Sequence, residues 1–294
     1  MLKDKKQRIV VTGGRGFIGG FLIAALAARG YNNIIVTSFD TTDYPAIKGV
    51  IRKDDIVVHL AWSCIPATSE TNKEDDIKRN LIGTINLLDV CKEQGAKKFI
   101  FMSSGGTVYG SSEKRRQRES SPTTPKNFYG ALKLAVEKYI GVYHHLYGLN
   151  FVIIRLANAY GRMQLGAQQQ WAVDSFFRNA VQGQPILIRG DGETTRDYIY
   201  IDDVVDFVIM AIENSSISGV YNLGTGVGTS LNQLVKIIGG IVKKPLKLNY
   251  SPSRNFDLDY IVLSIKKALA TGWEPKFNLQ KGIADIYNKY EKNR

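Results

Sequence analysis

Residues 10–19 read Val-Val-Thr-Gly-Gly-Arg-Gly-Phe-Ile-Gly. The run Arg8-Ile9-Val10-Val11-Thr12 leads into glycines at 13, 16 and 19, and FLIAALAARG follows. This order predicts a strand, a sharp turn and a helix. Such a turn leaves the helix's first amides unpaired, and they attract a pyrophosphate with help from the positive end of the helix dipole. Glycine at these positions keeps side chains from holding the backbone away from the phosphates and from the following helix. The glycine spacing alone is a weak signal. A strand before it and a helix after it supply the context a dinucleotide-binding loop requires.

Working outward, strand-like runs at 8–12, 34–39, 55–60, 97–103 and 151–156 alternate with helical patterns at 17–29, about 74–94 and 129–147. Strands joined by helix-length crossovers imply an α/β fold with a doubly wound parallel sheet. The runs IVVHLA and FVIIRLA are apolar nearly throughout, as strands covered on both faces must be. Only about 15 residues separate Asp40 from Asp55, so a strand or helix is expected to be cut short on that side. After Gly161 the apolar runs are short and broken by glycine turns, and a last helix is predicted over about 279–291. No linker or repeat separates the halves. The expected division is a dinucleotide-binding domain over 1–161, with 191–224 returning to it. A smaller, discontinuous α/β lobe over 162–190 and 225–294 would bind substrate.

Length and composition fit a globular chain with a sizeable core, at 294 residues, 44% hydrophobic and 22% charged. No apolar run approaches a membrane span, and no membrane association is expected. The start Met-Leu-Lys-Asp-Lys-Lys leads straight into the first strand, so no signal peptide is expected. Cys64 and Cys91 lack metal-ligand spacing and read as small buried hydrophobes of a reducing compartment, so the cytoplasm is the expected location and no metal site is foreseen. The net charge of +12 suits anionic small molecules. The basic run Lys114-Arg115-Arg116-Gln117-Arg118 reads first as a solvated loop, then as a lid over a phosphorylated substrate. No nucleic-acid motif surrounds it, and no nucleic-acid partner is expected.

Tyr129-Gly-Ala-Leu-Lys133 places a phenol and an ammonium on one helix face. A tyrosine with its ordinary pKa near 10 is a poor base at neutral pH. A neighbouring Lys133 ammonium and a nicotinamide cation are expected to lower it. The pair follows by about 25 residues a strand ending in Ser103-Ser104. Ligands of a doubly wound sheet bind at the carboxyl ends of its strands, where these hydroxyls fall.

The chain resembles the extended short-chain dehydrogenase/reductases with a Rossmann-like fold, in their NAD-dependent nucleotide-sugar epimerase/dehydratase branch. The resemblance runs from Arg8 to about residue 285 and includes TGGRGFIG, HLAW, SSGGTVYG, YGALK, RLANAYG, RDYIYIDD and YNLGTG. It implies that Gly13, Gly16, Phe17, Ile18 and Gly19 cradle the NAD pyrophosphate. Ala61 and Asn80 would approach the ribose and nicotinamide. It further implies that Lys133 bonds the nicotinamide ribose and Tyr129 is the acid/base. On the substrate side, Asn158, Arg196 and Arg254 would hold a nucleotide diphosphate; apart from the resemblance, Arg189 is read as one of the lobe side chains that select the sugar. Asn158 also reads as a turn cap, and Asp202-Asp203 as caps of a helix over 203–213.

The chain departs from the branch at several positions. The catalytic Ser/Thr position falls on Gly105, so Ser104 or Thr107 must substitute, with Thr107 preferred. The Asp-Glu pair of the dehydratases is Gly106-Thr107 here, which removes the carboxylates a dehydration needs. The acidic residue expected on the adenosine ribose is Thr37, with Asp40 three residues on. That gap beside the cationic Arg15 keeps NADP open as an alternative to NAD. The resemblance implies a 4-epimerase of a nucleotide-linked hexose, a UDP-sugar, working through a 4-keto stage. An NADPH-dependent reductase of a 4-keto-6-deoxy nucleotide sugar is the alternative, and a non-catalytic nucleotide-binding relative comes last. A homodimer through the helices at 74–94 and 129–147 is expected.

Overall fold

The computed structural model describes residues 5–37, 40–110, 114–161, 172–253 and 258–292. The strands are β1 (Ile9–Thr12), β2 (Ile34–Val36), β3 (Ile56–His59), β4 (Lys98–Ser104), β5 (Phe151–Leu156), β6 (Asn158–Tyr160), β7 (Ile186–Arg189), β8 (Thr195–Tyr200), β9 (Gly219–Leu223), β10 (Gly228–Ser230), β11 (Leu248–Ser251) and β12 (Tyr260–Ile261). The helices are α1 (Phe17–Ala28), α2 (Tyr44–Val50), α3 (Pro66–Ser69), α4 (Lys73–Asp76), α5 (Gly83–Gln94), α6 (Phe128–Tyr147), α7 (Ala172–Gln182), α8 (Ile201–Glu213), α9 (Leu231–Val242), α10 (Lys266–Leu269) and α11 (Leu279–Lys292). A π-helical turn, Ile77–Ile82, joins α4 to α5.

The principal sheet has six strands in the order β2-β1-β3-β4-β5-β9. β1 pairs in parallel with both β2 and β3, and β3 with β4. The direction of winding therefore reverses beside β1, where doubly wound sheets bind ligands. The four residues of β1 and of β3 are all buried, as strands covered on both faces require. Between β2 and β3 lies only the seven-residue α2, with no strand among the described residues. The short connection read from the sequence is thus a shortened crossover.

The chain divides into two compact units. The first comprises Met1–Val108, Thr123–Arg155 and Val205–Tyr221. Its core joins Val10, Val57, Phe99 and Phe101 from the sheet to Leu87, Leu88 and Cys91 of α5 and Val136 and Ile140 of α6. The buried Lys98 donates to the carbonyls of Ala211, Asn214 and Ile217 at 2.8, 2.8 and 3.3 Å, satisfying orphan acceptors at the end of α8.

The second unit comprises Tyr109–Pro122, Leu156–Val204 and Asn222–Arg294. In it β8 is flanked by antiparallel β10 and parallel β12, and β6 also pairs with β8. β7 and β11 form a separate parallel pair. The buried Asp197 carboxylate organises the glycine turn after β9. It accepts from the Thr225 amide (2.8 Å), the Thr225 hydroxyl (2.7 Å) and the Gly226 amide (3.0 Å).

The expected capping role of Asp202 and Asp203 is corrected. α8 begins at Ile201, which puts both inside its first turn. The Asp203 carboxylate accepts from the amides of Lys276 (2.9 Å) and Phe277 (3.1 Å), fastening a distant segment to α8.

Candidate active site

β1 delivers the glycine loop directly to α1. Gly13 has φ +70°, and a Cβ there would lie 2.5 Å from the Ala61 amide nitrogen and 2.7 Å from its Cα. Only glycine lets this turn close against the end of β3. Gly16 precedes α1 in extended conformation, and no side chain caps the helix. No acidic residue occupies its first turn. The amides of Phe17, Ile18 and Gly19 thus open a helix whose positive end has no acidic residue in its own first turn to answer it. This cradle fits the pyrophosphate of a dinucleotide. Arg15 beside it is exposed.

Below the loop a buried polar chain ties the carboxyl ends of β1 and β3 to α5. Thr12 Oγ1 lies 2.7 Å from His59 Nδ1, and His59 Nε2 lies 3.0 Å from Thr84 Oγ1. Burial pushes the His59 imidazole down to about 3, so the ring is neutral. Thr12 Oγ1 also accepts from the Ala61 amide at 3.3 Å.

Asn80 sits in the π-helical turn, a distortion frequent at functional sites. Its Oδ1 accepts from the Ser63 amide at 2.9 Å, and its Nδ2 donates to Ser63 Oγ at 3.0 Å and to Asp76. Cys64 differs from its expected role as a buried hydrophobe. It is half-buried, and its thiol donates to Asp76 Oδ1 at 2.8 Å. Burial and the Asp76 carboxylate push that thiol up to about 12. Cys91 is fully buried as expected.

Tyr129 and Lys133 lie on α6, which Asn127 caps by accepting from the Gly130 amide at 2.8 Å. A Cβ at Gly130 would come within 2.8 Å of the Thr107 carbonyl oxygen, so the start of α6 rests directly on the Ser-Gly-Gly-Thr turn. Thr107 is buried and its hydroxyl has no hydrogen-bond partner among the described residues. Ser104 accepts at its carbonyl from the Thr107 and Val108 amides, at 3.3 and 3.1 Å. Gly106 brings no carboxylate to the turn.

Lys133 is buried, and its ammonium donates to the Met102 carbonyl at 2.7 Å. Burial pushes it down to about 7. The expectation of a lowered Tyr129 pKa is reversed among the chain's own groups. Burial, with Cys64 and Asp76 adding to it, holds the phenol above its ordinary value. The physical reason is burial, which makes the phenolate costly to form inside the protein.

The neighbouring Ser103 faces a buried ion pair that sequence reading missed. Arg155 of β5 donates to Glu137 through Nη2 (2.7 Å) and Nε (3.1 Å), and Ser103 Oγ donates to the same carboxylate. One signal for it was present, since Glu137 stands one helical turn after Lys133.

On the adenosine side, Thr37 continues β2 by donating its amide to the Val11 carbonyl at 3.1 Å. Asp40 is exposed and engaged locally. It accepts from the Thr42 amide (2.9 Å) and hydroxyl (3.0 Å), and Arg79 approaches it at 3.4 Å. The Thr42 amide, followed by its hydroxyl and Arg79, holds the Asp40 carboxyl below the usual range.

In the second unit, Asn158 stands opposite Tyr198 in the β6–β8 pair, and its Nδ2 donates to the Asp197 carbonyl at 3.0 Å. That bond places it beside Arg196, whose Nη1 donates to the Thr195 carbonyl at 3.0 Å. Arg189 is exposed at the end of β7, in the other sheet of this unit. Arg254 lies outside the described residues. The basic run is exposed at Lys114, Arg115, Arg116 and Arg118, as a solvated loop would be. Among the described residues no cluster of metal-ligating side chains occurs, and no helix is long and apolar enough to cross a membrane.

A dinucleotide cradle at the winding reversal, with a Tyr/Lys pair on a helix that packs on the end of β4, defines an NAD-dependent enzyme of the Rossmann class. Residues 9–224 match the NAD dependent epimerase/dehydratase family, and the chain belongs to that family. It is 31% identical to a UDP-glucose 4-epimerase of Mycolicibacterium smegmatis, over 95% of this chain and 96% of the relative. Among solved structures it is similar to the UDP-glucose 4-epimerase of Thermotoga maritima with UDP-glucose, with a TM-score of 0.91, 32% identity and coverage of 98% and 99% of the two chains. The Thermus thermophilus UDP-glucose 4-epimerase in complex with NAD matches with a TM-score of 0.89, 31% identity and coverage of 97% and 99%.

Proposed function

We propose that this protein is an NAD-dependent 4-epimerase that inverts C4 of a nucleotide-linked hexose, a UDP-sugar. The observation that carries the reading is the Tyr129/Lys133 pair, set on the β4 turn where Gly106 and Thr107 leave no carboxylate for a dehydration. When bound, NAD supplies a hydride acceptor that is regenerated within the cycle.

The chain's own residues do the rest. Gly13, Gly16, Phe17, Ile18 and Gly19 bind the pyrophosphate, and Ala61 and Asn80 border the ribose and nicotinamide. Tyr129 takes the proton of the C4 hydroxyl as that carbon passes through its 4-keto stage, and gives it back on the other face. Lys133 holds the nicotinamide ribose and favours the phenolate. Thr107 is assigned the hydroxyl that relays the proton, because its buried oxygen has no partner among the described residues. Ser104 is the second hydroxyl of the turn.

The second unit is assigned the nucleotide sugar, with Asn158 and Arg196 holding its diphosphate. Arg254 and Arg189 complete the set. A guanidinium suits this task by donating parallel bonds to one phosphate. Arg15, Thr37 and Asp40 are assigned to the adenosine ribose. The matched epimerases favour this reading over the reductase.

A homodimer through α5 and α6 belongs to the same proposal. Tyr139, Val142 and Leu146 are exposed at 43, 50 and 59% along one stripe of α6, where a second helix pair would cover them. Two free cysteines suit the cytoplasm.

Purified protein supplied with NAD is expected to interconvert UDP-glucose and UDP-galactose, or their N-acetyl forms, without added reductant. Loss of that conversion in Tyr129→Phe, by about a thousand-fold, with NAD binding retained, tests the acid/base assignment. Wild-type turnover in that variant would refute it.

A further inference from the structure

Lys133 is enclosed by aromatic rings. Its Nζ lies 3.5 Å from the centroid of Trp62, 4.7 Å from Phe101 and 5.7 Å from Tyr129. The Met102 carbonyl satisfies one of its three N–H donors. A buried ammonium with a single acceptor is strongly disfavoured unless something else stabilises the charge.

The charged and titratable groups around it are accounted for as follows. On α6, Glu137 favours the ammonium, yet its carboxylate is already held by Arg155 of β5 and by Ser103 of β4. From α4, Asp76 acts on it at a distance while bonding Cys64, Ser69 and Asn80, and Cys64, in the segment after β3, has its thiol pushed up to about 12 and carries no charge near neutral pH. From β3, His59 is neutral and contributes no charge of its own near neutral pH. Tyr129 shares the same helix face. The electron-rich ring of Trp62 is therefore the nearest stabiliser besides the Met102 carbonyl, and indole is the strongest π partner for a cation. The same ring packs edge-on to Tyr129 at 6.0 Å and 72°, and against Phe101 at 5.9 Å.

We propose that Trp62 is a positioning residue for the reaction, its indole face holding Lys133 charged and in place beside Tyr129. This rests on the assignment of Tyr129 and Lys133 as the acid/base pair. Trp62 acts through Lys133 and has no proton to exchange in the reaction itself. Removing the ring disfavours the ammonium, so Lys133 loses its proton at a lower pH.

The test compares Trp62→Leu, which removes the π face, with Trp62→Phe, which keeps one. In Trp62→Leu the alkaline limb of the kcat profile is expected to move about one unit toward acid, and kcat at pH 8 to fall roughly ten-fold. KM for the UDP-sugar should stay within about two-fold, and Trp62→Phe should recover most of the loss. An unchanged profile in Trp62→Leu would overturn the proposal.

A second readout needs no turnover. The Trp62 emission, taken as wild type minus Trp62→Phe, should titrate between about pH 6 and 9 and lose that titration in Lys133→Met. A flat difference in the wild type would also overturn the proposal, and this holds if Trp62→Leu fails to fold. Should the wild type leave UDP-sugars unchanged, the epimerase reading falls, while the emission titration still decides the Trp62–Lys133 coupling.

Discussion

Thr107 shows how a substitution at a catalytic position can be met by its neighbour. With glycine at 105, a hydroxyl must come from elsewhere in the turn. The Thr107 side chain is buried at 9% exposure, has no hydrogen-bond partner among the described residues, and lies against Gly130, the residue after Tyr129. A buried hydroxyl without a bond costs free energy unless a ligand supplies one. We expect Thr107→Val to lower kcat about a hundred-fold with little loss of stability, because no intramolecular bond is removed. Ser104→Ala should cost less than ten-fold. Steady-state kinetics of the two variants checks the order, and a larger effect in Ser104→Ala would move the relay to that residue.

At the scale of elements, α6 must be held in fixed register on β4 for Tyr129 and Lys133 to meet a substrate. Glu137 does this from the buried side of the helix, bonded to Ser103 of β4 and to Arg155 of β5, the ion-paired side chains being 4 and 6% exposed. Removing Glu137 takes this carboxylate from a guanidinium that stays charged in the interior. Glu137→Leu is expected to lose about 3–5 kcal/mol in urea unfolding. The double variant Glu137→Leu/Arg155→Leu should recover more than half of that, since two apolar side chains leave no orphan charge. A double variant as unstable as the single one would refute this account. The π-helical turn at Asn80 is a second device of this kind, turning the amide toward Ser63 and Asp76 while α5 continues beyond it.

At the scale of the molecule, His59 contributes to the pH dependence of stability. Unfolded, its imidazole takes a proton near pH 6.5, whereas burial refuses that proton down to about 3. Between those values the unfolded imidazole binds a proton that the folded one refuses, so this group's contribution to stability falls as pH drops through the window, while the Asp174 carboxyl, pushed up by burial to about 7, contributes in the opposite sense. From pH 7 to 5 the loss amounts to about 2 kcal/mol from this group. Across that range the melting temperature of His59→Gln should fall less, or rise more, than that of the wild type. Association is the other molecular property. Leu146→Asp places a charge in the exposed stripe of α6 and is expected to yield monomers by sedimentation, with the melting temperature of the isolated chain little changed. A wild type that sediments as a monomer would remove the dimer proposal.

The sequence by itself determined the strand–glycine–helix opening, the alternation of strands and helices through Leu156, the shortened crossover after Asp40, and the Tyr129/Lys133 face. Each is a local periodicity or a short spacing, and backbone geometry converts these directly into structure. Only the tertiary structure decided that Trp62 covers Lys133, that Arg155 answers Glu137, that Asp197 holds the turn at Thr225, and that Asp203 binds the segment at Lys276. These partners lie far apart in the chain and are joined by how strands and helices pack. Burial, which sets the charge of Tyr129, Lys133 and His59, is a property of that packing and is written in no single stretch of residues.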